Sequence, residues 1–298
     1  MPLMPPIASA CSMEGSGPPL FLIHGIGASR HSWDGLVGHL KPHFRCISYD
    51  LRGHGRSPTP PPPYRLDDLV DDLEALRAEL GIARAHFAGH SLGGMIGPAY
   101  ARKYPERVIS VGLYSTAAFR NQDDRAKVQG VVAAMRETGV APVLATLRDR
   151  WFTPAFAERA PQVIDRRMQQ VLETDPAVFL SVFDIYAGTE MAPWLHEISR
   201  PCLVMTGEHD GACNPRLNRQ IATALPDSEL VILRRSDMPF CWRPRRSSQG
   251  PFSRSFESTN DAPRAPGAAM THILRLPMAQ YCHPSAEEGR CLTAEYGR

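Results

Sequence analysis

The stretch Ala85-His86-Phe87-Ala88-Gly89-His90-Ser91-Leu92-Gly93-Gly94 decides the reading of this chain. A short apolar run enters a G-x-S-x-G pentapeptide, and the residues from Leu92 to Tyr104 suit a helix. Reversing from strand to helix so tightly leaves room only for small side chains two positions before and two after the serine. Gly89 and Gly93 are therefore expected to be required on steric grounds. The serine is held in a sparsely populated backbone region with its Oγ projected out of the sheet. The start of the helix brings free backbone N–H groups and a positive dipole end. Ser91 is the candidate nucleophile and the Leu92 N–H a candidate oxyanion donor. A glycine-rich turn with an incidental serine is the competing reading, and the flanking strand and helix weigh against it.

Upstream, Leu20-Phe21-Leu22-Ile23 reads as a buried strand ending in the turn His24-Gly25-Ile26-Gly27. That turn offers a second oxyanion donor, the N–H of Ile26. A dinucleotide-binding loop is excluded there, because position 30, where its third glycine belongs, is Arg30. His24 and His54 read as braces of their loops rather than as bases. Arg45 to Tyr49 is another strand, closed by Asp50-Leu51-Arg52-Gly53-His54-Gly55. Leu66, Leu69, Val70, Leu73, Leu76 and Leu80 form one apolar helical stripe, with Gly81 at the C-cap position.

Val108 to Tyr114, Cys202 to Thr206 and Glu229 to Leu233 supply further strands, with a helix over about Pro215 to Ala224. Between about 118 and 195, strand-like runs vanish in favour of helical periodicity and aromatics, as expected of a helical cap inserted over the sheet. Strands alternating with helices imply a mostly parallel sheet covered on both faces. The cap aromatics read as core or as an apolar pocket wall. Arg148 and Arg150 read as a solvated face that is able to meet a substrate carboxylate.

The chain has 298 residues and a formal net charge of +2, so nothing global points to nucleic acid or to an acidic membrane surface. Only Lys41, Lys103 and Lys127 are lysines among 33 basic residues, a bias of GC-rich coding rather than of a binding surface. Seven cysteines without a C-x-x-C pair fit reduced thiols in a cytoplasmic protein. No signal peptide and no run of about 18 apolar residues is present, so no membrane span is expected. Metal, P-loop and dinucleotide signatures are absent, and no cofactor is expected.

Four motifs stand in one order: His24-Gly25-Ile26-Gly27, Asp50-Leu51-Arg52-Gly53-His54-Gly55-Arg56-Ser57, Gly89-His90-Ser91-Leu92-Gly93-Gly94 and Gly207-Glu208-His209-Asp210. In this the chain resembles the α/β-hydrolase superfamily from about Gly15 to Leu233. The small cap and the stretches around Ser91 are similar to 3-oxoadipate enol-lactonases and related small esterases. The resemblance implies a domain over 1–237 and a Ser-Asp-His triad in chain order. Ser91 would attack an acyl carbon, and Asp210 would orient the histidine; a helix N-cap ahead of Pro215 is the other reading of Asp210. The implied substrate is a small carboxylic ester or (enol-)lactone. Perhydrolase or haloperoxidase-like chemistry, or a catalytically dead relative, are the alternatives.

The family's histidine belongs in the loop after Leu233. Here that loop reads Arg234-Arg235-Ser236-Asp237-Met238-Pro239, with Asp237 at the expected position. A carboxylate with a pKa near 4 is a poor acceptor for a serine proton at neutral pH. Residues 238–298 hold only seven Leu, Ile, Val or Phe among 61, with Arg, Pro, Ser and Ala dominant. That bias is what a shifted reading frame of GC-rich DNA produces, and it is also the composition of a disordered tail. Displaced histidines are the other source of a base. His283, followed by the helix-start pattern Ser285-Ala286-Glu287-Glu288, is the better candidate, and His272 the weaker.

Overall fold

The computed structural model describes residues 4–233. Seven strands form one sheet: β1 (Cys11–Glu14), β2 (Pro19–Ile23), β3 (Arg45–Tyr49), β4 (Ala85–His90), β5 (Val108–Tyr114), β6 (Cys202–Gly207) and β7 (Ser228–Leu233). Their order is β1-β3-β2-β4-β5-β6-β7. Only β1 runs antiparallel to its neighbour, and every other pairing is parallel. This is an α/β-hydrolase fold, and β4, which ends at the elbow, lies in the middle of the sheet.

The strands read as near-continuous apolar runs because both faces are buried. In β2, Phe21 and Ile23 enter one core with Ile47, Phe87 and Val111, whereas Leu20 and Leu22 enter the opposite core with Trp33, Val37, Ala88 and Met205. Helices α2 (Leu66–Glu79), α3 (Gly93–Lys103) and α9 (Pro215–Ala224) supply apolar residues to the first core. Helix α1 (Asp34–Leu40) supplies the second. Phe21 stacks on Phe87 at 5.2 Å, and Phe87 meets Tyr100 of α3 at 4.5 Å. Burying such a ring is worth about 1.5–3 kcal/mol, so β2, β4 and α3 are tied where the site is built. Gly81 ends α2 as its spacing predicts, with φ +64 and its N–H donating to Ala78 O.

Five helices lie between β5 and β6: α4 (Gln122–Thr138), α5 (Val140–Trp151), α6 (Pro154–Arg159), α7 (Pro161–Glu173) and α8 (Pro176–Gly188). Among the described residues, no helix is long and apolar enough to cross a membrane.

One strand departs from the sequence reading. β1 lies ahead of Leu20, where the first clear apolar run begins, and pairs with β3. It is four residues long and exposed along most of its length, so it lacks the apolar run by which the inner strands declare themselves. Gly15 and Gly17, at φ +84 and +152, carry the chain from β1 into β2. Asp237, His272, His283 and the stretch 238–298 lie outside the described residues.

Candidate active site

Ser91 sits between β4 and α3 at φ +55, in the left-handed region that non-glycine residues rarely adopt. The turn around it is as tight as the motif demands. A Cβ on Gly89 would overlap the backbone of Gly93, and one on Gly93 would overlap the Ile23 carbonyl. The strain at Ser91 is held by its neighbours: its N–H donates to Tyr114 O at 2.9 Å, and its carbonyl accepts from Thr116 Oγ1 at 2.9 Å.

The turn after β2 lies against this elbow. A Cβ on Gly25 would come within 3.2 Å of Ser91 Cβ, so glycine there eases the close approach of the two loops. Among the described residues, neither Ile26 N–H nor Leu92 N–H has a hydrogen-bond acceptor. Most buried N–H groups find a partner, so two open donors beside a strained serine are what an oxyanion-binding position requires.

A cleft open to solvent reaches this point, and Ser91, Ile26 and Asp210 all line it. Asp210 follows β6. Its Oδ1 accepts the N–H groups of Ala212 (3.0 Å) and Cys213 (2.7 Å), while its Oδ2 accepts from Thr206 Oγ1 (3.3 Å). Asp210 is not the cap of α9; Asn214 is, accepting from Leu217 N–H. His209 is exposed.

The insertion roofs the cleft with Trp151, Phe152, Phe183 and Tyr186, so these aromatics do wall the pocket. Phe156 joins Phe152 and Ile164 in a separate small cluster. Arg150 lines the cleft, whereas Arg148 faces solvent and pairs with Asp149.

The three histidines near the elbow are neutral and ill suited as bases. His24 Nδ1–H donates to Gly25 O (2.8 Å) and its Nε2 accepts from Leu51 N–H (3.0 Å). His54 does the same with Arg52 O (2.9 Å) and Gly27 N–H (3.1 Å). These bonds assign each tautomer and make both rings loop braces. Burial, followed by repulsion between the two rings, pulls His24 to about 3, and burial pulls His54 to about 4. His90 lines the cleft beside Ser91, but burial, and next the Arg167 charge, pull it to about 3. A group so reluctant to bind a proton gives little driving force for removing one from a serine.

Two features escaped sequence reasoning. Asp50, fully buried, accepts from Arg30 N–H (2.7 Å), from the Arg30 guanidinium and from Arg56 N–H (3.0 Å), clamping the loops after β2 and β3 together. Arg167 of α7 reaches the Ile26–Gly27 turn across more than a hundred residues of chain. As one arginine among many, it carried no local signal.

Residues 18–237 match the family described as alpha/beta hydrolase fold. The 3-oxoadipate enol-lactonase 2 of Acinetobacter baylyi is 30% identical over 223 residues, which span 75% of this chain and 83% of that protein. Among solved structures, the enol-lactonase from Burkholderia xenovorans is similar with a TM-score of 0.71 and 30% identity, covering 76% of this chain and 91% of that one. A hydrolase from Pseudomonas aeruginosa is similar with a TM-score of 0.70 and 33% identity, covering 76% and 86%.

Proposed function

Since the chain belongs to the alpha/beta-hydrolase family, we propose that it cleaves a small carboxylic ester or lactone through an acyl-enzyme on Ser91. The observation that carries this reading is the strained serine at φ +55, which shares a cleft with Ile26 and is followed in the chain by Leu92, the N–H groups of Ile26 and Leu92 both being open among the described residues.

Ser91 Oγ attacks the acyl carbon while its proton passes to a base. The carbonyl oxygen becomes an oxyanion that accepts hydrogen bonds from Ile26 and Leu92. Collapse breaks the acyl C–O bond, and the departing alkoxide takes the proton from the base. Water then attacks the acyl-enzyme by the reverse proton route, releasing the acid and restoring Ser91. Asp210 orients the base and stabilises its charged form. None of the three histidines beside the elbow fills the base's role, and the family resemblance assigns it to a histidine after Leu233. His283 is our candidate ahead of His272. The apolar roof of Trp151, Phe152 and Phe183 favours a substrate with a hydrophobic acyl or ring portion.

A fluorophosphonate probe tests this reading. Labelling of the wild type that disappears in Ser91→Ala and falls steeply in His283→Ala supports it. An unlabelled but folded wild type would sink it. Turnover of p-nitrophenyl acetate with and without hydrogen peroxide separates hydrolysis from perhydrolysis; a rate that requires peroxide would overturn the ester-hydrolase assignment.

A further inference from the structure

Resting on the Ser91 reading, we propose that Arg167 is a positioning residue for the oxyanion turn, through which the helical insertion sets the rate of attack by Ser91. The reason lies in the polar groups of the three peptide units from Gly25 to Ala28. The Gly25 carbonyl accepts from His24 Nδ1–H at 2.8 Å and from Ala28 N–H at 3.3 Å. The Gly27 N–H donates to His54 Nε2 at 3.1 Å. The Ile26 and Gly27 carbonyls both accept from Arg167, by Nη2 and Nη1 respectively, the latter at 2.6 Å. Every carbonyl and N–H of these units thus has a partner except the Ile26 N–H.

The Ile26–Gly27 peptide is gripped at both ends, its oxygen by Arg167 and its N–H by His54. Such a unit cannot flip, and the neighbouring N–H of Ile26, a residue that lines the cleft, is held in one orientation. Gly27 is at φ +57, and a Cβ there would sit 2.7 Å from the Phe179 ring, so the turn has no room to relax sideways. His54 is itself held by Arg52 O.

Arg167 is well placed for this task. It is buried in α7, its guanidinium lies 4.7 Å from the Trp151 ring centre, and it lines the same cleft as Ser91. A planar fork with fixed donors can hold two adjacent carbonyls at once, which an ammonium cannot. Its charge is also felt across the site, where it opposes protonation of His24, His54 and His90. The same field favours a developing oxyanion. Preorganised donors of this kind are worth about 10²–10³ in rate when one is lost. Misdirecting one of two is expected to cost about 10–100-fold.

Arg167→Met, Arg167→Lys and Arg167→Ala are compared in the full chain for p-nitrophenyl acetate turnover and for the rate of fluorophosphonate labelling. Arg167→Met is expected to lose about 10–100-fold in kcat and in labelling rate, with KM within about twofold. Arg167→Lys, which keeps the cation and a single hydrogen bond, is expected to fall between it and the wild type. Ethylguanidinium at tens of millimolar is expected to restore a large part of the Arg167→Ala rate, which loss of packing alone does not predict.

Arg167→Met rates within about threefold of wild type, while Ser91→Ala is inactive, would overturn the role of Arg167 and leave the Ser91 reading standing. A raised KM with unchanged kcat and no rescue would also overturn it. If Arg167→Met does not fold, Arg167→Lys decides, and rates equal to wild type count against the proposal. Wild-type rates in Ser91→Ala would remove both readings together.

Discussion

Acidification is expected to unfold this protein sooner than its carboxylates alone would cause. His24, His54, His86 and His90 are all at most 8% exposed. Burial pulls His24 and His90 to about 3, and His54 and His86 to about 4. In the unfolded chain each returns to about 6.5. Below that pH the unfolded chain binds protons that the fold refuses. The stability contributed by neutral imidazoles is therefore complete above about 6.5 and is lost as the pH falls through the window down to 4 and then 3. Inside the window each histidine costs about 1.4 kcal/mol per pH unit. Between pH 6.5 and 5 that is about 2 kcal/mol each, or about 8 kcal/mol for four, comparable to a typical total stability of 5–15 kcal/mol. His24 and His54, with ring centres 5.2 Å apart, cannot evade the penalty by charging together. Urea unfolding followed by tryptophan fluorescence at pH 7.5, 6.5, 5.5 and 5.0 measures the slope. His86→Phe removes one titrating group far from the elbow and should reduce that slope by about a quarter, whatever the loss of the 2.8 Å contact with Ser110 does at neutral pH. A free energy of unfolding constant to about 1 kcal/mol from pH 7.5 to 5.0 would refute the reasoning.

Four further outcomes follow from local geometry. Asp210→Asn retains the Oδ1 that accepts from Ala212 and Cys213; thermal stability should change by about 1 kcal/mol or less, while ester hydrolysis falls by about 10⁴ because the amide favours the wrong tautomer of the histidine. Gly93→Ala should abolish soluble protein or fluorophosphonate labelling, because its Cβ overlaps the Ile23 carbonyl. Gly81→Ala, at φ +64 with nothing within 4 Å, should cost only about 1–2 kcal/mol in urea melts. Arg52→Leu strands the buried Asp72, which now accepts from Arg52 Nε and Nη2 at 2.7 Å each; the loss should be about 3–5 kcal/mol by denaturation, and Arg52→Leu with Asp72→Leu should recover most of it.

Some of this protein is readable from neighbouring residues alone. The inner strands announce themselves as apolar runs because a parallel sheet buries both faces, and the α2 stripe because a helix buries one. The elbow is readable because its chemistry is compressed into five residues, where Gly89 is required by backbone a few positions on, although the backbone that requires Gly93 is that of Ile23 in the neighbouring strand. The edge strand β1 is unreadable for the converse reason: being exposed, it places no demand on its side chains. Asp210 was located by its position after a strand together with the family resemblance of Gly207-Glu208-His209-Asp210. That it shares a cleft with Ser91, with its Oδ1 held by Ala212 and Cys213 rather than by α9, is a fact of folding.

Ser91 and its turn were legible in the sequence, since the strand, the serine and the two glycines of the motif are contiguous, although the contact that forbids a side chain at Gly93 comes from Ile23. Tertiary structure decided what surrounds them. It brought the Ile26 turn against the elbow, showed His24 and His54 to be engaged on both ring nitrogens, and carried Arg167 from α7 onto two carbonyls some 140 residues away. The physical reason is that hydrogen bonds and burial act through distance in space. A guanidinium in the insertion and a glycine turn near the N-terminus leave no trace of each other until the chain brings them together.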